Sequence, residues 1–432
     1  MAMGASEFFG ALRERRFRLL WLGQATSTLG DGLVPVALAF AVIKTLDRGP
    51  TALGVVLAAE TLPLVTFVLV GGVWADRLPR QMVMLVSDAI RGVVQATLAV
   101  LLLTGSAQLW QLVVLVAIYG TAQAFFQPAA TGLVPATISP ERLQQANALL
   151  GLSRSMAFVI GPAVAGVIAA LTNPGIVFVV DAATFAVSAT SLAMLRLPRG
   201  RREGERHSFF ADLKGGWHEL VTHTWLWVIV AWAATFLGIV IAPFMTLGPV
   251  IAKESLGGPA AWGLISAGWG IGSLTGGLLA LRWKPIRPML TCSVLVLLIA
   301  PAVALLAMRA PAPLIATAQA VGGMGMGVFG AVWQTTLQQH VREDALSRVS
   351  AWDWMGSFLF LPLGLVAAGP VSALIGISTT LWISVGWCVL STLAVLLVPS
   401  VRNLRRLDEP EPEPETGLAG LPGEPAEALH GG

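Results

Sequence analysis

Charge is scarce in this sequence. Asp, Glu, Lys and Arg make up 12% of 432 residues, about half the share usual in a soluble protein, while 55% are apolar. Water cannot be the solvent for most of such a surface, which excludes a soluble globular enzyme. Cysteine is almost missing. Cys292 and Cys388 both fall inside apolar runs, which excludes a disulfide framework and leaves them a packing role. The five histidines, His207, His218, His223, His340 and His430, lie outside those runs without metal-ligand spacing, so no metal is expected. No Walker A string occurs, and no Ser-His-Asp or Cys-His set stands out. The string GMGVFG, from Gly325 to Gly330, satisfies G-x-G-x-x-G inside an apolar run with no preceding strand, so it reads as close helix packing. Neither an enzyme nor a cofactor is expected.

What the chain has instead is long apolar runs. A bilayer core of roughly 30 Å takes about 20 apolar residues in a helix. Twelve such spans are expected, at 17–43, 52–73, 82–104, 109–132, 148–171, 175–195, 224–250, 261–281, 288–308, 312–337, 350–370 and 377–398. The fold class is therefore all-α and membrane-embedded, multi-pass in the cell inner (plasma) membrane, with the lipid bilayer as its partner. Of the 27 Lys and Arg, only Lys44, Arg48, Lys253 and Arg309 fall in the odd-numbered connections, and Arg91 and Arg154 deep within spans, with Arg18 at the terminal-side edge of the first. The others gather on the side of both termini, which the positive-inside rule makes cytoplasmic. That asymmetry also accounts for the basic balance, so nucleic acid is not expected as a partner.

The two halves repeat. Gly30 and Pro35 recur as Gly238 and Pro243, the run Gly49-Pro50 with Gly54 as Gly258-Pro259 with Gly263, and Gly161 with Gly166 as Gly364 with Gly369. The expected organisation is a six-helix bundle over 1–195, a basic linker over 196–223, a second six-helix bundle over 224–398, and a Pro- and Glu-rich tail over 399–432 that reads as disordered. Duplicated halves around a midplane site are how many secondary transporters are built. Gly268, Gly272 and Gly276, every fourth residue, predict a helix face that another backbone approaches closely.

The connection between spans two and three reads GGVWADRLPRQ. It packs Asp76, Arg77 and Arg80 into five positions of a chain that otherwise avoids charge. Here the sequence resembles the major facilitator superfamily, whose signature at this loop runs roughly G-x-L-A-D-R-x-G-R-[KR]. Gly72, Ala75, Asp76, Arg77 and Arg80 match, while Pro79 and Gln81 depart from it. The resemblance implies a latch that holds the halves together on the cytoplasmic side, with Asp353 at the start of span eleven as an arginine's partner. In the second half Arg282 is kept but Leu281 replaces the acid, so one latch is expected. The fifth span carries Gly161-Pro162-Ala163-Val164-Ala165-Gly166, close to the antiporter motif GPxxGG, within a stretch that looks like bacterial drug and siderophore exporters. The arginine of span four in related antiporters is absent.

Ionisable residues inside the membrane are costly and are candidates for function. Asp31 lies midway along span one, on one face with Gln24, Thr28 and Pro35. It is the first candidate for proton coupling, against the alternative of a fixed hydrogen bond to a neighbouring helix. Glu60 is the second and needs a partner across a helix interface. Asp88 and Arg91, three apart, are expected to satisfy each other, and Arg154 with Asp181 to form a packing or gating pair.

The resemblance implies a cavity lined by spans one, four, seven and ten. Candidate substrate contacts are Gln24, Thr28, Gln123, Phe126, Trp232, Phe236, Met326 and Trp333, a surface suited to amphipathic molecules. The expected activity is export of small drug-like or siderophore-like compounds by a monomer, in exchange for protons. An importer or facilitator, or a non-transporting receptor, stays open at this point.

Overall fold

In hydrocarbon every backbone polar group has to be satisfied within its own segment, so apolar runs of this length resolve as helices. The computed structural model describes residues 10–196 and 209–407, except for the side chains of 69–77, 209–214, 343, 344 and 347. Among the described residues twelve helices are long and apolar enough to cross a membrane, and no strand is present. They are α1 (Arg15–Thr45), α2 (Pro50–Arg77), α3 (Arg80–Leu103), α4 (Leu109–Ala136), α5 (Pro140–Leu171), α6 (Gly175–Met194), α7 (Thr224–Leu256), α8 (Pro259–Ala280), α9 (Pro288–Ala307), α10 (Ala312–His340), α11 (Arg348–Ile375) and α12 (Ile377–Leu397).

All twelve expected spans are there. Several run past their apolar windows, α5 starting at Pro140 and α10 ending at His340, because helical hydrogen bonding continues after the side chains turn polar. The linker holds a further helix, Phe209–Thr222, where a basic loop was expected. Its Gly216 and Trp217 lie on α11, with the rings of Trp217 and Trp352 4.9 Å apart. The stretch 197–208 and the tail from 408 lie outside the described residues. Cys292 and Cys388 are free and buried.

In the first half α1 packs against α5 and α6, α3 against α6, and α2 against α4; in the second, α8 against α10 is the most extensive contact. The glycine face of α8 explains that last pairing. Gly268, Gly272 and Gly276 face the carbonyls of Ala316, Ala320 and Met324, so close that a Cβ at any of the three would overlap them.

The halves meet through two related crossings, α5 with α8 and α2 with α11. At one, Gly263 sits against the carbonyl of Pro162; at the other, Gly54 sits against the carbonyl of Leu365. Gly263 lies 209 residues after Gly54 and Leu365 lies 203 after Pro162, so the two contacts are copies of each other. Pro162 adds a second effect. It cannot donate to Phe158, four residues back, and that carbonyl lies against Gly270 of α8 instead. In the second half Pro243 likewise frees the carbonyl of Ile239, which accepts a hydrogen bond of 2.6 Å from Ser384 Oγ of α12.

On the side opposite the termini two pseudo-equivalent lysines cap helix ends. Lys44 Nζ donates to the carbonyl of Ala169 at 3.1 Å, closing the last turn of α5 within its own half. Lys253 crosses over. The chain of α1 ends in a π turn, Ala41–Thr45, in which Leu46 donates to Ala41 and Arg48 to Val42, leaving the Ile43 carbonyl free. Lys253 Nζ takes that carbonyl at 2.5 Å and the Asp47 carboxylate at 2.9 Å, tying α7 to α1.

Candidate functional site

The first half encloses a charged cluster at membrane depth. Asp88, Arg91 and Gln95 of α3 are spaced three and four apart and therefore share one face, as do Asp181, Thr184 and Ser188 of α6. With α3 and α6 packed together the two stripes meet. Arg91 bonds Asp88, as expected from their spacing, and its other arm lies 3.5 Å from Asp31 Oδ2 of α1. Ser188 Oγ donates to Asp88 at 2.6 Å, and Gln95 Nε2 to Asp181 at 2.6 Å, while Thr184 Oγ1 donates to the other Asp181 oxygen at 3.1 Å. Tyr119 of α4 donates its hydroxyl to Asp31 Oδ1. The Arg91 guanidinium is sandwiched between the rings of Phe126 and Phe185, 4.2 and 4.5 Å from their centroids.

Asp31 is held by two close crossings. Gly32 and Gly161 abut backbone to backbone where α1 crosses α5, and Gly30 lies so close to the Asp181 carboxylate that any side chain there would collide with it. Arg91 and Asp88 are fully enclosed, whereas 28% of the Asp31 side chain is accessible. Asp31 is thus the half-buried acid of the cluster, backed by a sealed guanidinium.

The structure corrects several expectations. The hydrogen bond from a neighbouring helix, one of the two readings of Asp31, is present, from Tyr119, and the Arg91 ion pair adds to it. Arg154 points outward and does not meet Asp181, whose partners are Gln95 and Thr184. Glu60 is half-buried and makes no hydrogen bond or ion pair among the described residues. Phe126 shields Arg91 where it was expected to face a ligand. Gln24 is buried with its Nε2 unpartnered, while Thr28 and Gln123 are half-buried on the same two helices. Tyr119, Gln95, Thr184 and Ser188 were missed; the paired i, i+3, i+7 stripes on α3 and α6 were the available signal.

In the second half, Trp232, Phe236 and Trp333 are buried. They belong to a ladder of rings. Trp232 packs on Phe236 and Phe329, Phe329 stacks on Trp333 at 6.1 Å, and Trp333 meets Trp225, which meets His340. Met326 and Phe329 are the half-buried members beside it. Trp333 Nε1 donates to Asp353 at 2.9 Å and Ser357 Oγ at 3.4 Å, so among the described residues Asp353 is held by α10 and its own helix, with no arginine. The side chains of Asp76 and Arg77 lie outside the described residues. Arg80 donates to the Gly132 carbonyl at 2.5 Å, fastening α3 to the end of α4.

Twelve helices, two crossings related by the sequence repeat and a buried charge cluster are features of a transporter. The profile of the Major Facilitator Superfamily matches residues 20–360. The chain belongs to that superfamily. It is 26% identical over 410 residues to the multidrug efflux pump Tap of Mycolicibacterium fortuitum, covering 91% of this chain and 98% of that protein. It is 20% identical over 399 residues to macrolide efflux protein A of Streptococcus pyogenes, covering 91% and 97%. Among solved structures, a bacterial homologue of the human lysosomal transporter Spinster aligns with a TM-score of 0.70 at 14% identity, over 92% of this chain and 99% of that one. As a superfamily member, the protein is a multi-pass inner-membrane transporter of small molecules.

Proposed function

We propose that this superfamily member exports amphipathic compounds in exchange for protons, with both termini in the cytoplasm. The observation that carries the reading is the open face of Asp31. An acid at mid-span, accessible on one side and backed on the other by Arg91, gains and loses a proton as the bundles alternate, and proton entry draws on about 2.3 kcal/mol per charge per 100 mV. The efflux pumps among its relatives and the excess of Lys and Arg on the terminal side support direction and orientation. The division of the chain into bundles at 1–195 and 224–398, joined by the linker 196–223, belongs to the same proposal. The two halves divide the work: the first carries charge, the second carries the ring ladder ending at Asp353, whose half-buried members Met326 and Phe329, with Thr28 and Gln123, are the contacts for a hydrophobic cation. Asp76, Arg77 and Arg80 act as the cytoplasmic latch, Glu60 as a second acid, and Gly161, Pro162 and Gly166 as the seal against proton leak. The transporter works as a monomer.

The test is directional. In proteoliposomes with an imposed proton gradient, ethidium and erythromycin should move against the proton flow, and Asp31→Asn should abolish gradient-driven movement while leaving binding measurable. Movement along with the proton flow would identify an importer, and undiminished efflux by the variant would remove Asp31 from this role.

A further inference from the structure

The cluster around Arg91 is short of positive charge. Asp31 from α1, Asp88 from α3 and Asp181 from α6 lie in one cluster with a single guanidinium, which contacts the first two, and Glu60 of α2 is half-buried without a hydrogen bond or ion pair among the described residues. No Lys or His of α1 to α6 comes near; Lys44 is engaged with Ala169 at the far end. The two arms of Arg91 go to Asp88 and Asp31. Asp181, completely buried, meets only neutral donors, the Gln95 amide and the Thr184 hydroxyl. An ionised carboxylate sealed off without a counter-charge costs several kcal/mol, and taking up a proton removes that cost.

Gln95 offers Asp181 no charge in either orientation of its neutral amide, and the other end of that amide is buried with no partner among the described residues. Gly30 of α1 lies directly on this carboxyl, and the next residue is Asp31. Any rotation of α1 that opens or closes Asp31 to water therefore also uncovers or covers Asp181.

We infer that Asp181 is a proton-binding residue of the transport cycle, holding one proton in this state and releasing it when α1 moves and Arg91 turns from Asp31 toward it. The step is a proton transfer only: the Asp181 O–H bond breaks, the proton leaves by way of Asp31 to water, and Arg91 neutralises the carboxylate left behind. Asp31 is then the gate-side acid and Asp181 the store. The inference rests on the antiport reading for its role in transport, but the bound proton can be observed without transport.

The test has two arms. Infrared spectra of the purified protein at neutral pH should contain the carbonyl stretch of a neutral aspartic acid; Asp181→Asn should remove it and Asp88→Asn should leave it. An unchanged band in the Asp181→Asn protein would overturn the inference. Should that variant fail to fold, Asp181→Glu retains the proton site, and a spectrum identical to wild type would count equally against it. In proteoliposomes Asp181→Asn should lose gradient-driven ethidium movement at least tenfold while ethidium counterflow persists; full gradient-driven movement would overturn the role. If the wild type moves neither ethidium nor erythromycin with a proton gradient, the antiport reading fails while the infrared result still decides whether Asp181 holds a proton.

Discussion

Arg91 is the residue on which the first half's charge balance turns. It is enclosed by two aromatic rings and two aspartates, and its removal leaves Asp88 sealed without a counter-charge and Asp31 without its ion pair. Arg91→Gln should destabilise the protein by roughly 3–5 kcal/mol, the usual cost of stranding a buried charge. Adding Asp88→Asn should return part of the loss, because one of the stranded acids is then neutral. Thermal unfolding of the two variants in detergent reads this out, and a double variant no more stable than the single one would show that the pair is not the source of the effect. Asp88 with Arg91 was legible in the sequence because both partners sit on one helix, where spacing fixes their geometry. Asp31 with Arg91 and Tyr119 was not, since it depends on how three helices are rotated against each other. The same ignorance of rotation put Arg154 beside Asp181 on paper, whereas the arginine faces outward.

Among the elements, the α5–α8 and α2–α11 crossings set how the halves can move. Each places a glycine of one half against a carbonyl of the other, on the side away from the termini. Gly263→Val should wedge α8 off Pro162 and hold that side open, seen as at least several-fold faster maleimide labelling of a cysteine introduced at Thr51. Labelling at the wild-type rate would mean that the crossing tolerates bulk and does not set closure. The glycines and their repeat were readable from sequence, as was the run of spans, because periodicity and length are local properties. The linker helix was not: Lys214, His218 and Glu219 interrupt its apolar residues, and the packing of Gly216 and Trp217 on Arg348 and Trp352 of α11 is a tertiary property. The aromatic residues were legible as a set, but the hydrogen bond of 3.2 Å from Trp232 Nε1 to Ser391 Oγ of α12 was not, because it depends on how α7 and α12 are rotated against each other.

At the scale of the whole molecule, Lys253 joins the halves on the side opposite the termini, where the family loop signature says nothing. Lys253→Ala removes a bond to the Ile43 carbonyl and one to Asp47, and should move the population several-fold toward the state open on that side, measured by distance between spin labels across the two halves. Lys44→Ala, which cuts a bond within one half, should move it little; equal effects of both would deny Lys253 its bridging role. The hydrogen bond from Lys253, and then its charge, hold the Asp47 carboxyl below its ordinary value. A depressed acid contributes its full share above the unfolded value of about 3.9 and loses it only as pH falls through the lower folded one, so this tie is constant between pH 5 and 8. Sensing of protons therefore falls to the interior acids.

One further property comes free with the fold. Tyr119 is the only tyrosine in 432 residues, and its hydroxyl is spent on Asp31. Grown on 3-fluorotyrosine, the protein would carry a single fluorine nucleus bonded one ring position away from the hydroxyl that touches the coupling acid. Its magnetic resonance spectrum would hold one signal, free of overlap, whose position reports that carboxyl's charge while the transporter turns over.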